Sequence, residues 1–135
     1  MKPVEETMGM PTACRGIRGA ITVDRDGTVE SATAELLEAV RSRNGARTED
    51  VAAVLFTLTE DLRGQNPAAA ARAGGWDSVP LLNVAEHPAA DADIERCIRV
   101  LVLWNTTRLQ SDVEHVYLGG ARALRPDLVR AGRAE

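Results

Sequence analysis

The most continuous hydrophobic run in the chain, Cys97–Trp104, is apolar and β-branched except for one arginine, Arg99. Such a run predicts a central β-strand covered on both faces. A guanidinium cannot give up its proton, so a buried Arg99 requires an anionic partner. That partner is either a protein carboxylate or a bound ligand, and the choice between them is the functional question.

Three other segments have clear periodicity. Cys14–Val23 alternates small, basic and apolar residues and predicts a strand in which Gly16 and Gly19 allow close approach of a neighbour. Apolar residues recur at helical spacing over Val29–Arg43, and Asn44-Gly45 supplies a left-handed stop. Val51–Thr59 predicts a second buried strand.

The remaining elements are shorter. Pro67 is suited to the first turn of a short helix that Gly74-Gly75 ends. The weaker predictions are an extended segment over 76–84 that Pro80 marks as an edge or irregular strand, a helical turn over 92–96, a strand over 115–118 and a further helical turn over 119–124.

Strands and helices are interleaved, which predicts an α+β fold with a mixed sheet and helices packed on one side. One long helix cannot cover both faces of so apolar a sheet, so we expect a homo-oligomer. The expected organisation is a flexible leader over 1–13, one domain over 14–128 and a flexible tail over 129–135.

Composition narrows the function classes. A net charge of −4 and an aromatic content of 3% disfavour nucleic acid as a partner. The two cysteines are far apart, without His/Cys clusters, so neither disulfides nor a metal site is expected. No secretory signal or membrane-length run is recognised, and we expect a soluble cytoplasmic protein. Common nucleophile, phosphate-loop and zinc motifs are absent from the sequence.

Arginines stand in apolar or glycine-rich surroundings at Arg18, Arg72, Arg99 and Arg125. The planar guanidinium suits carboxylates, so this pattern indicates a small ligand with more than one carboxylate. Arg15 and Arg18 point to opposite faces of their strand, so only one of them can join Arg99. Taken alone, the pattern favours a protein carboxylate beside Arg99 and surface positions for Arg72 and Arg125.

Several short motifs together resemble the monofunctional Bacillus-type chorismate mutases, the AroH class. The match extends from about Cys14 to Leu128, in the order and spacing of that family. The motifs are Arg15–Ala20, Pro67-Ala68 with Arg72, Gly75-Trp76 through Val79-Pro80, Cys97–Val100, His115–Leu118 and Leu124–Leu128.

The resemblance implies a homotrimer of pseudo-α/β-barrel form, with active sites between adjacent subunits. The implied reaction is the intramolecular rearrangement of chorismate to prephenate, on the route to phenylalanine and tyrosine. It needs no cofactor, metal or nucleophile. An enzyme accelerates such a step by holding a compact substrate conformation and by placing positive charge at the breaking ether bond.

By motif position, the resemblance assigns Arg99 to the ether oxygen and a substrate carboxylate, and Arg18 and Tyr117 to the enolpyruvyl carboxylate. Glu86 and Asn83 match positions that face the ring hydroxyl. Arg72 and Arg125 are expected near the cleft mouth, and Leu82 and Leu124 are expected to line the pocket. The other expected substrate-binding residues are Ala68 and Asn66.

The chain departs from the family pattern at four positions, two of which lie near the mouth of the expected cleft. Asn66 replaces a frequent phenylalanine, Ala69 a lysine, Asn83 a cysteine and Leu82 a threonine. Losing an aromatic ring and a cation there predicts a raised KM with the chemical step less affected. The alternative is a weak or inactive trimeric module that binds an anionic metabolite or a partner enzyme.

Overall fold

The computed structural model describes residues 11–87 and 94–130 of the 135-residue chain. Five strands and three α-helices alternate along it, which confirms the predicted α+β class. Their bounds are β1 Ala13–Thr22, α1 Val29–Asn44, β2 Val51–Leu58, α2 Pro67–Ala71, β3 Leu81–Asn83, β4 Cys97–Thr106, β5 Val116–Leu118 and α3 Pro126–Arg130.

The strands form one mixed sheet in the order β3-β2-β4-β1-β5. The apolar run that carries Arg99 is therefore the middle strand, as predicted. β4 pairs antiparallel with β1 on one side and with β2 on the other, while the two short edge strands run parallel to their neighbours. The long antiparallel pairs fix the register of every side chain near Arg99.

α1 begins and ends at the residues that the sequence marks. The Thr28 side chain accepts a hydrogen bond from the Ser31 amide at 3.0 Å, and Gly45 ends the helix in the left-handed region at φ 67°. The helix buries Leu36, Leu37 and Val40 against one face of the sheet. Burying each such side chain contributes about 1.5–3 kcal/mol, so this contact stabilises the fold substantially.

The two faces of the sheet differ. One face, here called the helix face, packs on α1 through Ile17, Phe56, Val100 and Val102. The opposite face, here called the open face, carries Leu55, Leu82, Leu101 and Leu103, and Leu101 and Leu82 are 41% and 57% exposed. Within the single chain the central strand is thus covered fully on the helix face alone, which agrees with the expectation that one long helix cannot cover both faces of the sheet.

The C-terminal segment covers one corner of the other side of the sheet. Leu124, Leu128 and Val129 pack against a small buried cluster that contains Ala20 and Tyr117. The expectation that all helices pack on one side of the sheet is therefore wrong. α3 lies over the end of β5 on this side, whereas α1 packs on the helix face and contacts α2. The expected flexible tail begins inside α3, and residues 131–135 lie outside the described residues.

Two local predictions need correction. The segment expected to be extended over 76–84 is a strand over Leu81–Asn83 alone, because Trp76 belongs to a wide helical turn over Arg72–Trp76. The helical turn expected over 92–96 is absent from its described part, 94–96, where Arg96 has a φ of 52°. The rest of that turn, and residues 1–10 of the leader expected over 1–13, lie outside the described residues, while Ala13 is already the first residue of β1.

The edge of β1 is only partly occupied by β5, which pairs with Gly19, Ala20 and Ile21. Before that point, the Gln110 side chain donates to the Gly16 carbonyl at 2.7 Å and accepts from the Gly16 amide at 2.9 Å. The His115 imidazole then accepts from the Arg18 amide at 2.9 Å. Two side chains thus satisfy backbone groups that a longer β5 would otherwise bind.

Candidate active site

One row of side chains crosses four strands of the sheet. In the β-sheet register, Arg99 of β4 stands between Thr57 of β2 and Ala20 of β1, and Ala20 is opposite Tyr117 of β5. Residues directly opposite each other project from the same face of a sheet. The register therefore brings Thr57, Arg99 and Tyr117 onto the side of the sheet that faces away from α1.

Arg99 has a carboxylate partner within the chain. Its Nε lies 2.9 Å from Oε2 of Glu86, whose side chain is 6% exposed against 32% for Arg99. The other oxygen, Oε1, accepts a hydrogen bond from the Thr57 hydroxyl. The carboxylate that the residue pattern favoured beside Arg99 is thus present, and Glu86, singled out by the resemblance, is the residue that provides it.

Two cavities meet at Arg99. One, of about 250 Å³, lies toward β5 and is lined by Arg18, Arg99 and Tyr117. The other, of about 340 Å³, lies toward β3 and is lined by Thr57, Glu86 and Arg99. Arg99 therefore reaches a basic compartment on one side and a carboxylate on the other.

The first cavity is chemically suited to an anion. Of the two arginines on β1, Arg18 lines it, whereas Arg15 donates from Nε to the Arg108 carbonyl at 2.9 Å. Burial raises the pKa of the Tyr117 hydroxyl, against the opposing effect of the nearby arginines. At neutral pH the phenol is protonated and serves as a hydrogen-bond donor to an acceptor such as a carboxylate.

Arg125 and Leu124 lie at the same end of the sheet. Arg125 donates from Nε and a terminal nitrogen to the Asp127 carboxylate at 3.1 and 3.0 Å, and its charge also acts on Tyr117. Leu124 packs against the cluster that contains Tyr117. Both residues thus lie near Tyr117, but neither is among the residues that line the cavity of Arg18 and Tyr117.

A second group of predicted site residues is found at the opposite edge, beside β3. Asn83 donates from Nδ2 to Oδ1 of Asn66 at 2.8 Å and accepts at Oδ1 from the Ala68 amide at 3.2 Å. The Asn66 oxygen also accepts from the Ala69 amide, so Asn66 is the N-cap of α2. The exposed Leu82 and Arg72 complete this group.

The two groups cannot enclose one small molecule within a single chain. Four strand-to-strand steps separate β3 from β5, which corresponds to about 19 Å at a spacing of about 4.8 Å. The β5 group holds Arg18, Tyr117, Leu124 and Arg125, and the β3 group holds Asn66, Ala68, Asn83, Leu82 and Arg72. Arg99 and Glu86 lie between them.

Comparison with known proteins identifies the family. A model of the family "chorismate mutase type I" matches residues 14–128. The chain belongs to this family. It is 51% identical to the chorismate mutase AroH of Thermus thermophilus over 120 residues, covering 87% of this chain and 98% of that protein. It is 40% identical to the AroH of Bacillus subtilis strain 168 over 117 residues, covering 84% and 91%.

A solved structure agrees with this assignment. The chain is similar to a chorismate mutase from Clostridium thermocellum with a TM-score of 0.72 at 38% identity, covering 80% of this chain and 97% of that one. The described residues of this type I chorismate mutase contain no group of three or more His, Cys, Asp or Glu placed to hold a metal ion. None of the described helices is both long enough and apolar enough to cross a membrane.

Two residues of this chorismate mutase chain contact the candidate site but were missed by sequence reasoning. Thr57 binds Glu86, and its only signal in the sequence is a hydroxyl within an otherwise apolar strand. His115 holds the backbone of Arg18, a contact that its sequence neighbours do not indicate. Both contacts depend on how the strands pair and where the loops lie. The spacing of residues along the sequence does not show either of these.

The His115 contact predicts acid-sensitive stability. Nδ1 can accept from the Arg18 amide only when it carries no proton, and burial, followed by the charges of Arg18 and Arg125, lowers the pKa of His115. At pH values below about 6.5 the unfolded chain therefore binds a proton that the folded chain does not. The contribution of His115 to stability is therefore complete above that pH. We expect the melting temperature to fall as the pH is lowered below it.

A matched pair of variants isolates this effect. His115→Asn retains an acceptor near the Nδ1 position without titrating, so thermal unfolding between about pH 5 and 7 should show a weaker pH dependence. His115→Ala removes the acceptor together with the titrating group, so it should show the same weak pH dependence and a lower melting temperature than His115→Asn at pH 7. Equal pH dependence in wild type and His115→Asn would contradict the assignment.

Proposed function

We propose that this chorismate mutase converts chorismate to prephenate with Arg99 as the residue that stabilises the breaking ether bond. The protein is an isomerase of aromatic amino-acid biosynthesis by family. The observation that carries the mechanistic proposal is the position of Arg99, which is held by Glu86 on one side and lines a cavity with Arg18 and Tyr117 on the other.

The reaction is a pericyclic shift in which no proton is transferred and no covalent bond to the protein forms. As the ether carbon–oxygen bond breaks, negative charge gathers on the oxygen. A fixed guanidinium stabilises that charge more in the transition state than in the substrate, and a single preorganised donor of this kind contributes about 2.7–4 kcal/mol. Arg99 supplies this donor in the proposal.

The other residues bind and orient the substrate. Arg18 and the protonated Tyr117 bind the enolpyruvyl carboxylate, while Glu86 accepts from the ring hydroxyl. Asn83 faces the same hydroxyl from the other side, with its amide already oriented by Asn66 and Ala68. Holding both ends of the substrate in this way favours the compact conformation in which the reacting carbons approach each other.

The active unit in this proposal is a homotrimer. Two observations support it: the apolar side chains of the open face, and the separation of the predicted substrate residues into groups at opposite edges of the sheet. Packing the β3 edge of one subunit beside the β5 edge of the next would bring Asn83 and Arg72 to the cavity of Arg18 and Tyr117. Leu82, Ala68, Asn66, Leu124 and Arg125 would then line one cleft. A cytoplasmic location belongs to the same proposal.

Incubation of the purified protein with chorismate tests the function directly. We expect loss of chorismate and appearance of prephenate well above the rate in buffer, without added metal or cofactor, from a species with three times the chain mass. No acceleration over buffer would overturn the proposal. A ligand-induced rise in melting temperature without turnover would instead favour a module that binds an anionic metabolite.

A further inference from the structure

Glu86 lies on a segment of irregular backbone, yet its carboxylate contacts two residues of the sheet, through an ion pair at one oxygen and a hydrogen bond at the other. Residues 84–87 follow β3 and belong to neither a helix nor a strand. Oε2 contacts Nε of Arg99 at 2.9 Å, and Oε1 accepts from the Thr57 hydroxyl. The orientation of this carboxylate thus depends on two residues of the sheet.

Those two residues are neighbours in the most regular part of the fold. Thr57 and Arg99 are directly opposite each other in the antiparallel pair of β2 and β4. The irregular segment is also bound to β2, because the Val84 amide donates to the carbonyl of Phe56, the neighbour of Thr57, at 2.8 Å. Directly opposed residues have Cβ atoms about 4.5–5.5 Å apart, so a carboxylate can contact both at once.

The hydroxyl also determines how the carboxylate meets the arginine. Arginine and carboxylate groups favour a fork in which two nitrogens contact two oxygens. With Oε1 held by Thr57, Glu86 meets Nε through Oε2. Without the hydroxyl, the carboxylate can turn both oxygens toward the guanidinium and draw it away from the cavity that Arg18 and Tyr117 line.

We propose that Thr57 is a positioning residue for the reaction: its hydroxyl holds Glu86 so that the Arg99 guanidinium keeps its orientation toward the substrate's ether oxygen. The inference rests on the proposed function of Arg99 and adds a residue to which the resemblance assigns no role. Thr57 acts through Glu86, and its own hydroxyl is not required to contact the reacting atoms.

The test compares Thr57→Val, which replaces the hydroxyl by a methyl group of similar shape, with Thr57→Ser, which keeps the hydroxyl. We expect kcat to fall about tenfold in Thr57→Val, the scale of one hydrogen bond to a charged group, and to be restored within about threefold in Thr57→Ser. In a Glu86→Gln background, Thr57→Val should have little further effect on kcat.

Thr33→Val is the matched control, because it removes the same hydroxyl from a fully buried threonine of α1. That hydroxyl has no hydrogen-bond partner among the described residues, so its removal should leave kcat unchanged and should not lower the melting temperature. Three results would overturn the proposal: an unchanged kcat in Thr57→Val, equal losses in the valine and serine variants, or an undiminished loss in the Glu86→Gln background.

A second measurement does not depend on turnover. In protein labelled with nitrogen-15 at arginine, the Nε–H resonance of Arg99, assigned by its loss in Arg99→Lys, should shift in Thr57→Val and stay in place in Thr57→Ser and Thr33→Val. An unshifted resonance in Thr57→Val would overturn the positioning role even if the wild type proved inactive. Absence of turnover together with a shifted resonance would overturn the proposed function and leave the contact established.

Discussion

Replacing Arg99 with lysine is expected to lower kcat by about two to three decades while the chain still folds and assembles. Lysine keeps the positive charge but concentrates it on one flexible ammonium, which cannot contact Glu86 and an ether oxygen with the fixed geometry of a guanidinium. The loss of one preorganised donor is typically worth about 10²–10³ in kcat. Steady-state kinetics with chorismate, together with the solution mass, measure both parts of the prediction.

Arg41→Lys is the matched control for this substitution. Arg41 also pairs with a glutamate, at 2.6 Å from Glu38, but it lies on the exposed side of α1. Exposed pairs of this kind contribute about 0.2–1 kcal/mol to stability, so kcat should stay at the wild-type value. A wild-type kcat in Arg99→Lys would mean that the Arg99–Glu86 pair only stabilises the fold.

Replacing Leu103 with aspartate is expected to separate the subunits and to remove most of the activity. Leu103 lies on the open face, two residues beyond Leu101, and lines neither of the cavities that meet at Arg99. In an assembly that buries this face, an unpaired carboxylate costs several kcal/mol, and each 1.4 kcal/mol lowers association tenfold. We expect a monomer by sedimentation and about a hundredfold lower kcat/KM at assay concentrations.

Leu109→Asp is the matched control for Leu103→Asp, because Leu109 is a leucine that lies outside the open face. It is 49% exposed, more than Leu101, and lies on the loop after β4. Leu109→Asp should therefore retain both the oligomeric mass and the activity. If Leu103→Asp remained a fully active oligomer, the open face would not be the surface through which the subunits associate.

Local sequence signals account for most of the elements in the fold. The β-branched runs predict β2 and β4, the helical spacing with Asn44-Gly45 predicts α1, and Pro67 marks the first residue of α2. Each of these elements depends on a few consecutive residues, so it can be predicted from the local sequence alone. Strand order and the position of α3 depend on contacts between distant segments, and the sequence pattern does not contain them.

Only part of the candidate site could be predicted from the residue pattern. A buried arginine must have an anionic partner, so an anion near Arg99 followed from charge alone, and the residue pattern favoured a protein carboxylate over a ligand. That the partner is Glu86 does not follow from spacing, because the irregular backbone over 84–87 determines where the carboxylate lies. The resemblance singled out Glu86, Arg18 and Tyr117 together. The roles of these residues in catalysis stay predictions until the variants are measured.

The contacts of Gln110 and His115 with the edge of β1 have a consequence for solubility. An unpaired strand edge is a template to which a strand of another molecule can add, and growth from such edges leads to aggregation. Here the side-chain amide of Gln110 forms hydrogen bonds with the backbone of Gly16, and the imidazole of His115 accepts one from the backbone amide of Arg18. These backbone groups are therefore not available to an added strand. At these positions the edge of β1 is thereby protected against adding the strand of another molecule.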